Sequence, residues 1–140
     1  MYLFLDDERS GIEAVYWIAY PEHLKTVPWV VLRNGKDFID FILRNGIPKV
    51  VSLDHDLDWS AIMEWEIAQI HKKPIDYTKI TELTGFDCAR WLVRYCRKTK
   101  VPLPEIYVHS HNPEGSKNIR EYLKQEGISD STVPVESVWV

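Results

Sequence analysis

Lys49-Val50-Val51-Ser52-Leu53-Asp54-His55-Asp56-Leu57 is a short, almost wholly apolar run that breaks abruptly into three titratable side chains. A strand without polar alternation is one covered on both faces, as in a parallel sheet flanked by helices. The same pattern occurs twice more. Tyr2-Leu3-Phe4-Leu5 runs into Asp6-Asp7-Glu8-Arg9, and Ile106-Tyr107-Val108 runs into His109-Ser110-His111-Asn112. In an open parallel α/β sheet the carboxyl ends of the strands converge on one crevice, where ligands bind. Three distant segments would then supply one site with several carboxylates and two imidazoles, a composition suited to metal and phosphate chemistry.

The segments between these strands read as helices and turns. Ile12, Val15, Tyr16 and Ala19 recur at helical spacing over 9–20, and Pro21 stops the pattern. Trp29 to Leu32 is a further β-rich run. Phe38, Ile39, Phe41 and Ile42 give 36–44 an apolar face that Asn45-Gly46 ends. Residues 58–83 interrupt the rhythm, with Ala61, Ile62, Trp65 and Ala68 predicting a helix that ends near Lys72-Lys73-Pro74. Thr84-Gly85-Phe86-Asp87 matches a capping box, with Asp in place of the usual Glu. The helix it opens turns Cys88, Trp91, Leu92, Tyr95 and Cys96 inward. Asn112-Pro113 supplies an N-cap and a proline at the first helical position. Ile119, Tyr122 and Leu123 stripe the helix that follows, Gly127 closes it, and Val133 to Val140 predicts a fifth strand. The alternation predicts a single doubly wound, three-layer α/β domain over 1–140, with an insertion at about 58–83.

Bulk properties narrow the function classes. A chain of 140 residues with six tryptophans can bury one core without staples. A formal net charge of −4 argues against general nucleic-acid binding, which calls for a basic excess. Cys88 and Cys96 fall about 12 Å apart along one predicted helix, too far for a disulfide, and read as reduced core thiols. No apolar run approaches the roughly 18 residues that span a bilayer. With no leader in view, the expectation is a soluble cytoplasmic protein that does not engage membranes.

Each polar motif has a chemical use. Two adjacent carboxylates such as Asp6 and Asp7 repel, and a divalent cation on oxygen ligands relieves them. Arg9 follows closely enough to clamp a phosphate or neutralise the pair. Asp54 and Asp56 share a side if the strand continues through them, with His55 opposite. Asp54 could ligate the same metal or attack phosphorus, and His55 could act as general acid or base. The His109–Asn112 segment leads into a helix N-terminus, an anion site where Ser110 and Asn112 could donate to phosphate. His109 or His111 could protonate a leaving alkoxide or activate water. Asn112 is also explained as a helix cap, and His23 and His71 are assigned nothing.

Taken in order, Leu5-Asp6-Asp7-Glu8-Arg9, Leu53-Asp54-His55-Asp56-Leu57, Thr84-Gly85-Phe86-Asp87 with Trp91, and His109-Ser110-His111-Asn112-Pro113 with Gly115 make the chain resemble the cyclic-phosphate-processing receiver-like domains. The resemblance implies a receiver fold with a five-stranded parallel sheet in order 2-1-3-4-5. It further implies magnesium on the acidic pair Asp6 and Asp7, and a phosphate acceptor at Asp54 or Asp56. His55, His109 and the absence of a lysine-proline pair near Val133-Pro134 set the chain apart from a signalling receiver.

The expected activity is metal-dependent hydrolysis of a cyclic phosphate, either a cyclic nucleotide or an RNA-terminal cyclic phosphate. His55, His109 and Asp54 are the expected catalytic groups, and Asp6, Asp7, Asp54 and Asp56 the expected ligands of Mg²⁺ or Mn²⁺. Histidine in the metal shell would favour a transition metal instead. Arg9, Ser110, Asn112 and Thr84 are the expected phosphate contacts, and the partner is a small nucleotide or other cyclic-phosphate ligand. One alternative is a module that binds or sequesters a cyclic nucleotide without cleaving it, with Trp59 or Trp65 stacking on the base. Another is a phospho-accepting receiver, and a third is a degenerate interaction domain.

Overall fold

The computed structural model describes residues 1–9 and 21–128. Four parallel strands form one sheet: β1 (Tyr2–Leu5), β2 (Val30–Leu32), β3 (Val50–Leu53) and β4 (Glu105–Val108), in spatial order β2-β1-β3-β4. Helices α1 (Gly35–Asn45), α2 (Trp59–His71), α3 (Gly85–Thr99) and α4 (Pro113–Gln125) connect or follow them. This is the α/β receiver architecture, with four strands among the described residues. The helix predicted over 9–20 (apart from Arg9) and the fifth strand over Val133–Val140 lie outside the described residues.

Strand alternation sorts the two faces of the sheet. Leu3, Leu5, Val51, Leu53, Ile106 and Val108 pack with Phe38 and Ile42 of α1, Cys88, Leu92 and Cys96 of α3, and Ile119 and Leu123 of α4. Phe4, Val50 and Tyr107 turn the other way, toward Leu24, Val27 and Trp29. Cys88 and Cys96 are buried free thiols. Burial, then the nearby Asp87 charge, pushes the Cys88 thiol up to about 12, so it is inert as a nucleophile.

The helix boundaries follow local chemistry. The Asn34 side chain accepts from the Asp37 N–H to open α1, and Gly46, at φ +91°, ends it. Asp58 caps α2 through the Ala61 N–H. Thr84 and Asp87 form the reciprocal capping box of α3. Asn112 caps α4 through the Gly115 N–H, with Pro113 in the first turn.

The segment from 58 to 83 has its own logic. Its helix α2 buries only Ala61, Glu64 and Ala68, while Trp59, Met63, Ile67 and Ile70 stay exposed. The Glu64 carboxylate accepts from the Asp76 N–H at 3.1 Å and fixes the return loop. No described helix is long and apolar enough to cross a membrane.

Candidate functional site

Register builds the site. Leu5 pairs with both Leu32 and Leu53, and Leu53 pairs with Val108. The ladder then continues one residue further: the N–H groups of Asp6, Asp54 and His109 donate to the carbonyls of Leu32, Leu5 and Leu53. Residues up to 103 positions apart therefore leave the sheet side by side at its carboxyl edge. All three are buried.

Asp6 is the hub. Its Oδ1 accepts from the backbone N–H of Glu8 and Arg9 at 2.9 and 2.8 Å. Its Oδ2 takes Arg9 Nε and His109 Nε2, both at 3.1 Å. Burial alone would raise its carboxyl, but the hydrogen bond from His109 and those from the two N–H groups outweigh it and hold Asp6 well below the usual carboxylate range. Burial conversely drives the His109 imidazole down against the pull of Asp6. A neutral ring donating from Nε2 to Asp6 leaves Nδ1 to accept the Ser52 hydroxyl at 2.8 Å. His109 also stacks on Phe4, with centroids 4.1 Å apart. It is therefore held behind Asp6 with both nitrogens committed. Arg33, which the sequence motifs did not single out, ties down the same loop by donating to the carbonyls of Asp6 and Arg9 at 3.2 and 2.8 Å.

Asp54 is the opposite electrostatic case. Burial first, and then the negative charge of Asp6, pushes its carboxyl up to about 8. Arg9 Nη2 lies 3.3 Å from its Oδ2, and Ser110 hydrogen-bonds to it. Both favour the anion but do not prevail, because the same guanidinium is already spent on ionised Asp6. Asp7 is raised too, by burial and by the Asp6 and Glu8 charges.

Asp6, Asp7 and Asp54 place one ligand atom each within 4.8 Å of one another. This acidic group could hold a metal ion, and its oxygen-only donor set suits a hard divalent cation. Both oxygens of Asp6 are already in use, so direct ligation falls chiefly to Asp7 and Asp54. Among the described residues no histidine belongs to this group, and neither does Asp56.

Asp56 serves a different network. Its Oδ1 receives His55 Nδ1 at 2.6 Å and Asn112 Nδ2 at 3.2 Å. His55 Nε2 meets the Tyr77 hydroxyl at 2.8 Å, and Asn118 Nδ2 donates to that hydroxyl at 2.9 Å. His55 is fully buried against Gly115, where an added Cβ would fall 2.4 Å from its Cγ. This sequence-predicted catalytic imidazole faces away from the Asp6–Asp7–Asp54 group and joins the 58–83 segment to α4. β3 ends at Leu53, so the strand does not run on through these residues, but Asp54 and Asp56 line one cleft and His55 does not.

That cleft, about 220 Å³, is walled by Asp7, Glu8, Arg9, Asp54 and Asp56 on one side and by Ser110, His111 and Asn112 on another, with Ile62 and Trp65 of α2 completing it. Asn112 lines it with both ends of its amide taken, by Gly115 and Asp56. Thr84, expected to contact phosphate, is not there. Its hydroxyl is used in the α3 capping box, and it is buried where α3 abuts the Asp54–His55 backbone. The imidazole that reaches the cleft is His111, exposed at its rim, with its pKa lowered by burial and by the Arg9 charge. The His109-x-His111 spacing carried the signal for this division. If the strand ladder runs through the first histidine, the second lies beyond it, at the mouth.

A scan against protein-family models matches residues 1–125 to the cyclic-phosphate processing receiver domain. The chain belongs to this family. Searches of curated proteins and of solved structures returned no match.

Proposed function

We propose that the protein is a metal-dependent phosphoesterase that opens a cyclic phosphate. The observation that carries this reading is the convergence, on one cleft, of Asp7 and Asp54, two of the three grouped carboxylates, with Arg9, Ser110 and an exposed imidazole. Asp7 and Asp54 would hold a divalent ion, Mg²⁺ or Mn²⁺, which when bound would supply charge neutralisation at the phosphoryl oxygens.

The chain's own residues do the rest. Arg9 and Ser110 donate to the non-bridging oxygens as negative charge builds there. His111, kept neutral by its surroundings, accepts the proton of the attacking water and returns it to the ester oxygen released when the ring P–O bond breaks. The product is an acyclic phosphomonoester. His109 and His55 act through others: His109 orients Asp6, and His55 orients Asp56.

A second reading is a phospho-accepting receiver. It is favoured by the position of Asp54, buried beside the acidic pair directly after β3. The two are separated by incubating the protein with 2′,3′- and 3′,5′-cyclic nucleotides and Mg²⁺ or Mn²⁺, and in parallel with acetyl phosphate. Ring opening that EDTA abolishes and that Asp54→Asn and His111→Ala each reduce at least 100-fold supports the esterase. Stable labelling of Asp54 with no ring opening refutes it in favour of the receiver.

A further inference from the structure

We infer that Trp65 is the nucleobase platform of the cleft, so that the ligand is a nucleoside phosphate and not a small phosphodiester lacking a base. The inference rests on the cyclic-phosphate reading above and adds the part of the ligand that the phosphate chemistry does not touch. The cleft has two chemically different kinds of wall. The loops after the strands supply charged and hydrogen-bonding groups, whereas α2 supplies Ile62 and Trp65, one helical turn apart. A ligand that satisfies both joins a phosphate to an apolar, flat group.

The packing of α2 sets this use of Trp65 apart from core filling. The helix rests on the domain through Ala61, Glu64 and Ala68, two of them too small to need an indole beside them. Trp65 is only half-buried and is absent from both apolar clusters. A large aromatic left beside Asp7, Asp56 and His111 gives up contacts that a core position would supply. An aromatic face that accepts a base recovers them when ligand binds, and such stacking tolerates any base. Trp59, the other tryptophan of the insertion, is excluded. It is 71 % exposed, does not line the cleft, and lies six residues away, about 240° round the helix.

The test compares 2′,3′-cyclic AMP with glycerol 1,2-cyclic phosphate, which has the ring ester without a base. Wild type prefers the nucleotide, expressed as the ratio of kcat/KM values. Trp65→Ala reduces that ratio about tenfold or more, mainly through KM, while Trp65→Phe retains most of it. Trp59→Ala leaves the ratio as it was.

Hydrolysis of both esters with a ratio that Trp65→Ala does not move overturns the platform and leaves the esterase standing. If neither ester is hydrolysed the esterase reading fails, and calorimetric binding of 2′,3′-cyclic AMP decides the platform. Binding that weakens tenfold in Trp65→Ala supports it; no binding, or equal binding by the two proteins, overturns it. Circular dichroism and a cooperative urea transition in Trp65→Ala show that its loss is not one of folding.

Discussion

Asp54→Asn tests the electrostatic centre of the site without relying on any substrate. Asparagine copies the shape of the protonated acid and cannot ionise. Because burial and Asp6 raise the folded Asp54 to about 8, the native protein holds a proton there that the unfolded chain, titrating near 4, releases. Folding thus takes up a proton between these values. The contribution of Asp54 is complete below about pH 4 and is lost as pH rises through about 8, at about 1.4 kcal/mol per pH unit. From pH 5 to pH 7 the wild type should lose about 2.7 kcal/mol relative to Asp54→Asn. Taking the difference between the proteins removes groups common to both, including His109, whose buried neutral ring works in the opposite direction as pH falls through 6.5.

Urea unfolding in EDTA, followed by tryptophan fluorescence at half-unit pH steps, gives the two stability curves. Adding Mg²⁺ at pH 7.5 should restore about 1.4 kcal/mol to the wild type at ten times its dissociation constant, and much less to the variant. Stability curves that run parallel from pH 5 to pH 7 would refute the reasoning, because Asp54 would then titrate like an exposed carboxyl.

The remaining predictions concern what surrounds the site. Gly85→Ala places a Cβ 1.7 Å from the Asp54 carbonyl oxygen, so the gain of about 1 kcal/mol usual for alanine in a helix should turn into a loss of about 2–4 kcal/mol. Calorimetry should show Tm falling about 6–12 °C, and an unchanged or higher Tm would contradict the close approach. Tyr77→Phe removes the hydroxyl shared by His55 and Asn118 and should cost about 1–3 kcal/mol in urea unfolding by stranding a buried ring nitrogen. Lys100 ends α3 at φ +59°, and Lys100→Gly should stabilise by about 0.5–1 kcal/mol because glycine takes the left-handed conformation without the side-chain penalty. A thermal shift downward would count against that assignment.

How much of this was legible depends on the range of the interaction. The Thr84–Asp87 box, the Asn112-Pro113 start and the Asn45-Gly46 stop act within four residues, and the structure has each of them. The four described strands follow from apolar runs that only a covered sheet can hold, and Asp6, Asp7 and Asp54 converge because Asp6 and Asp54 directly end such runs and Asp7 follows Asp6. The histidines were a harder matter. Their residue type suits acid–base work anywhere near neutral pH, so sequence alone did not separate a catalytic ring from a positioning one.

The linear chain therefore determined the α/β class, the helix ends and the acidic composition of the strand termini, all properties of local spacing and hydrophobic pattern. Tertiary structure decided which groups face the cleft. Parallel register carries His109 to Asp6 and buries it against Phe4. Packing of the 58–83 segment on α4 draws His55 to Tyr77 and away from the cleft. The same segment turns Trp65 into the cleft and Trp59 out of it. These outcomes depend on contacts between residues tens of positions apart, and on the desolvation those contacts impose.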